Sequence, residues 1–103
     1  MHAITRAEAN VISNSDMKLL LAGLIALRQG DTSFRLPEEW TGLPGKIADV
    51  FNDVVSLNDR MTQELGHLSR VVGKEGKLKQ RGSLGEVGGC WRVSIDSVNA
   101  LIR

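Results

Sequence analysis

The stretch GKIADVFNDVVSLNDRMTQELGHLSRVV, residues 45–72, decides the fold. Its apolar residues Ile47, Phe51, Val54, Leu57, Met61, Leu65, Leu68 and Val72 follow one another in steps of 4, 3, 3, 4, 4, 3 and 4. That averages close to ~3.6 residues per turn, the period of one face of an α-helix. No proline interrupts the run. At about 1.5 Å per residue these positions span roughly 42 Å, longer than a globule of this chain length is wide. Asp49, Asp53, Asp59, Arg60, Gln63, Glu64 and Arg70 occupy the other faces. An amphipathic rod of this kind needs a partner surface, and it suits a bundle or coiled coil rather than a membrane span.

The 103-residue chain as a whole is consistent with a small folded protein: 42% hydrophobic, 24% charged and a net charge of +1. This balance gives no global signal for nucleic acid or anionic lipid. The aromatics are only Phe34, Trp40, Phe51 and Trp91, so the core must be mostly aliphatic and small, and oligomerisation would supply further burial. The single cysteine, Cys90, excludes an intrachain disulfide and fits a reduced, cytoplasmic setting. The most apolar run, residues 19–27, is too short to cross a bilayer and reads as a buried helix.

In chain order, residues 1–16 read as a frayed lead-in. Asp16 is the expected N-cap of a helix over residues 17–29, with Leu19, Ala22, Ile25 and Ala26 on one face and Gly30 as its stop. Residues 31–44 hold both prolines, Pro37 and Pro44, yet also Phe34, Leu36, Trp40 and Leu43. Such a connector should be extended but packed. Gly45 is expected to open the long helix. After Val72 a glycine-rich connector leads to a last helix from Cys90 or Trp91, with Trp91, Ile95, Val98, Leu101 and Ile102 as its face. The chain ends at Arg103 without a capping signal and reads as cut short.

The sequence also repeats. An offset of 46 lays Leu19 on Leu65, Ala22 on Leu68, Ile25 on Val71, Gly30 on Gly76 and Arg35 on Arg81. An offset of 44 lays Gly45 on Gly89, Phe51 on Ile95, Asn52 on Asp96 and Val54 on Val98. The unit is helix, connector, helix, and two copies share the central rod. A long connector with buried residues of its own favours two parallel helices per unit, and two chains would then enclose one four-helix core.

Gly30-Asp31 through Arg35-Leu36-Pro37, followed by Gly45 and Ile47-Ala48-Asp49-Val50-Phe51-Asn52-Asp53-Val54, resembles the pattern of HAMP domains. Residues 36–48, 68–76 and 96–101 are similar to the multi-HAMP region of bacterial hybrid sensor histidine kinases. The resemblance covers residues 17–103. It implies an all-α fold of two consecutive HAMP units, a first over residues 17–60 and a second, divergent and C-terminally truncated, over 61–103. The working state implied is a parallel four-helix coiled coil formed by a homodimer. The family commonly has an acidic residue two places before the glycine that opens the second helix; here Leu43 stands there, and Gly82 replaces the connector proline in the second copy.

Signs of chemistry are sparse. His67 is followed by Leu68-Ser69-Arg70, unlike the phospho-acceptor motif of a histidine kinase. Gly42-Leu43-Pro44-Gly45-Lys46 lacks the remaining residues of a phosphate loop. Arg70, Lys74, Lys77, Lys79 and Arg81 form a basic cluster without interleaved aromatics, which reads as a solvated connector. No catalytic residue, metal ligand or cofactor site is expected, and no nucleic-acid partner. The expected function is signal relay in a two-component phosphorelay, with downstream HAMP or kinase modules in a longer, membrane-compatible relative. The residues expected to carry it are bundle positions Leu19, Ala22, Ile25, Phe51, Val54, Leu57, Met61, Leu65 and Leu68, with Leu36, Pro37 and Leu43 packing the connector. The alternative is a small helical adaptor that binds another protein through its long amphipathic helix.

Overall fold

A computed structural model describes residues 11–74, 76 and 80–102. They form three α-helices, α1 (Asn14–Arg28), α2 (Gly42–Leu68) and α3 (Gly89–Ile102), with a π-helical segment, Ser69–Lys74, directly after α2. Among the described residues there is no strand, so the fold is all-α.

Helix α1 starts earlier than the sequence reading placed it. Ser13, not Asp16, is the N-cap: its Oγ accepts from the backbone N–H of Asp16 at 3.1 Å. Asp16 instead lies in the first turn, where its charge faces the positive end of the helix dipole. The other end is a Schellman cap, with Gly30 at φ +83°, Asp31 N–H donating to Ala26 at 2.9 Å and Gly30 N–H donating to Leu27 at 3.0 Å. Asp31 then folds the connector back. Its Oδ1 accepts from the backbone N–H of Ser33 at 2.9 Å and from the Ser33 hydroxyl at 2.5 Å, and these bonds hold its carboxyl below the ordinary carboxylate range.

Helix α2 starts at Gly42 rather than Gly45, because Pro44 is tolerated inside a first turn, where no intrahelical N–H is needed. Its α-helical ladder ends at Leu68. The final stretch expected to continue it is π-helical, which accommodates one extra residue per bulge.

The chain divides into two units, Met1–Ser56 and Leu57–Arg103, a turn earlier than the expected division. The division falls inside α2, so α2 supplies a helix to each unit. In the first unit the core is Leu36, Ala48, Phe51 and Val55, with Leu19, Leu20, Leu27, Phe34 and Trp40 packed against it. The Phe34 and Phe51 rings meet edge to face, centroids 6.4 Å apart. They do so over Gly23, where a Cβ would lie 2.8 Å from Phe34 Cε1 and 3.0 Å from Phe51 Cζ. In the second unit Leu68, Val71, Leu84, Ile95 and Ile102 are buried, and Arg60 donates to the Leu84 carbonyl.

The repeat is present with a different register. Asn52 brackets the backbone of Leu36: Leu36 N–H donates to Asn52 Oδ1 at 2.8 Å, and Asn52 Nδ2 donates to the Leu36 carbonyl at 3.0 Å. Asn99 brackets Gly82 in the same way, at 2.7 Å and 3.0 Å. The second helices therefore align at an offset of 47, not 44. Gly42 pairs with Gly89, both helix-opening and both at positive φ, and Ala48, Asn52 and Val55 pair with Ile95, Asn99 and Ile102. The glycine stops Gly30 and Gly76, both at positive φ, keep the offset of 46. For the first helices burial fits 45, which pairs buried Gly23 with buried Leu68. The second copy thus gains one residue at the π-helical segment and another in its connector, where a shorter connector was expected.

The two cores are filled in opposite ways. In the first unit the connector gives a large side chain, Leu36, and the helices give small ones at Gly23 and Ala48. In the second the connector gives Gly82 and the helices give Leu68 and Ile95, whose Cδ1 atoms lie 2.7 Å and 2.8 Å from where a Gly82 Cβ would stand. In each unit a glycine stands where large side chains of the facing elements crowd in, as close packing requires.

Candidate functional site

The first unit carries an open groove of about 600 Å³ between α1 and α2. Its walls include Leu20, Leu24, Ile47, Val50 and Val54, and the only charged residue there, Lys46, contributes an aliphatic stem. Val50 is 63% exposed and Leu24 49%. Next to it Met17 and Leu21 extend the apolar surface along α1. This helix is apolar on nearly every side, and its core contacts use only part of that surface.

The second unit has an open groove of about 460 Å³ lined by Leu65, Ser69, Val72, Val98 and Leu101. In the corrected register these are the counterparts of Leu20, Leu24, Leu27, Phe51 and Val54, all of which line the first groove. One surface therefore occurs twice in the chain, once per unit.

Of the residues singled out from sequence, Phe51, Leu68 and Leu36 are buried within their units. Leu19, Ile25, Leu57, Met61 and Pro37 are half-buried, whereas Ala22, Leu43, Val54 and Leu65 are exposed. Leu43 and Val54 line the first groove and Leu65 the second. The sequence reading missed Leu20, Leu24 and Val50, which a single idealised stripe leaves out because the helix uses two adjacent faces. It also missed Asn52 and Asn99, whose signal was a polar amide between buried apolar neighbours on each second helix.

The two amides fix each connector onto its helix. Asn52→Ala removes two hydrogen bonds and leaves the buried Leu36 N–H without its acceptor; the expected loss is about 2 kcal/mol. Asn99→Ala should cost a similar amount in the second unit. Urea unfolding of single-tryptophan variants checks this, with Trp40 reporting the first unit and Trp91 the second.

Among the described residues, no group of three or more His, Cys, Asp or Glu side chains could hold a metal ion, and no helix is long and apolar enough to cross a membrane. Cys90 is exposed, and His67 Nδ1 lies 3.3 Å from Arg70 on the surface of α2 and the segment that follows it. Of the basic cluster, Lys77 and Lys79 lie outside the described residues, as do His2 and most of the lead-in. No family model matches the chain, and no solved structure matches it.

Proposed function

We propose that this chain is a non-enzymatic signal-relay module, two HAMP-like units in tandem that act as a parallel homodimer in the cytoplasm. The observation that carries the reading is the recurrence of one apolar groove at equivalent positions of both units. A second copy of the chain brings both grooves in the same order, so one occupant covers both faces through an isologous contact. α1, apolar nearly all round, then gains cover on the side its own core leaves open. Sharing α2 between units gives a physical route for relay: a change in packing at α1 alters how α2 is held and thereby biases the second unit. The output is a further helical module or a kinase core in a longer relative.

Single cysteines at Leu24, Val50 and Leu101, each in a Cys90→Ser background, test the arrangement. In a parallel two-fold dimer a residue near the axis meets its own copy at every height, so all three should form disulfide-linked dimers under mild oxidation. Cross-linking at one height only would indicate antiparallel pairing. A stable monomer by light scattering would favour the adaptor reading.

A further inference from the structure

We infer that the two dimer faces are unequal by construction, the first a permanent clasp and the second the face that opens and closes; this rests on the homodimer reading above. The corrected register places Ser69, Ser94 and Ser97 where the first unit has Leu24, Ile47 and Val50. Three apolar side chains that project into the first groove or line its wall are thus hydroxyls in the second copy. All three serines are exposed. Ser97 already donates its hydroxyl to the Val93 carbonyl at 2.7 Å, within α3, and its oxygen would have to give up water on closure.

The backbone agrees with the side chains. Ser69 opens the π-helical segment, so this side of the second groove is built on a ladder that has left the regular α pattern. Less apolar area to bury lowers the cost of opening. An input too weak to separate the first face can therefore still move the second. A relay needs this ordering, because one face must hold the two chains together while the other responds.

The test is amide hydrogen exchange on the full chain, together with disulfide trapping at Val50→Cys and Ser97→Cys in the Cys90→Ser background. In the wild type, α3 should exchange at least about tenfold faster than α1, and Ser97→Cys should trap more slowly than Val50→Cys. The triple change Ser69→Leu, Ser94→Ile, Ser97→Val restores the apolar groove; six added side chains per dimer should slow α3 exchange by about a hundredfold or more. These positions are exposed within the unit, so the changes leave its core intact. The reverse change, Val50→Ser, should speed exchange in α1. Equal protection of α1 and α3 with no response to the triple change, while Val50→Cys still traps a dimer, overturns the inference and leaves the homodimer standing. Failure of Val50→Cys to trap any dimer overturns both.

Discussion

Phe51→Ala is expected to lower the unfolding free energy by about 4 kcal/mol, the cost of deleting a large buried aromatic together with the cavity it leaves. Phe51 is 6% exposed, belongs to the first core and meets Phe34 edge to face. It also lines the first groove. The substitution therefore removes packing on the inner side of α2 and part of the wall on the outer side. Two effects should appear together in urea unfolding: a lower midpoint at fixed protein concentration, and a shallower dependence of that midpoint on concentration as dimerisation weakens. Phe51→Leu, which keeps most of the volume, should recover more than half of the loss.

Gly45→Ala should cost about 3 kcal/mol, although alanine is the better helix former by about 1 kcal/mol. A Cβ at this buried position would fall well inside van der Waals contact of the Trp40 carbonyl oxygen and 3.0 Å from its carbonyl carbon. Backbone cannot rotate aside as a side chain can. The start of α2 would have to move, and with it the turn that holds Trp40 against the core. Gly66→Ala in the same helix is the control. No atom lies within 4 Å of a Cβ there, so the change should raise stability by about 0.5–1 kcal/mol. Thermal unfolding of the two variants should move in opposite directions.

The contrast marks what could be read from sequence. Periodicity gave the three helices, since 3.6-residue spacing is a property of local side-chain order. Gly30 was legible as a helix stop because a left-handed C-cap needs glycine. The beginning of α2 was not, because Gly45 is demanded by a neighbouring carbonyl, a fact of three-dimensional approach, while the helix opens at Gly42. Ser13 and Asp16 are equally good caps chemically, and only the backbone chooses between them. The repeat was legible, but its register was not. Matching apolar letters paired Phe51 with Ile95, whereas the structure pairs residues by role: Asn52 with Asn99, and Gly23 with Leu68 in a core whose large and small positions are exchanged. Letter-matching cannot follow such an exchange, because it swaps which element supplies the large side chain. The groove was hidden for a related reason. Residues that line an exposed apolar groove and residues that face the core of their own unit share one hydrophobic alphabet.

Dipolar distance measurement between nitroxide labels tests the central claim most directly. Single labels at Lys46, Asp53 and Gln63, three exposed positions spread along α2, are each attached in the Cys90→Ser background. A parallel homodimer paired through α1 and α2 should give three similar distances, each shorter than the roughly 40 Å length of α2 itself. Distances that change steadily from one label to the next, or no dipolar coupling at any of them, would contradict it.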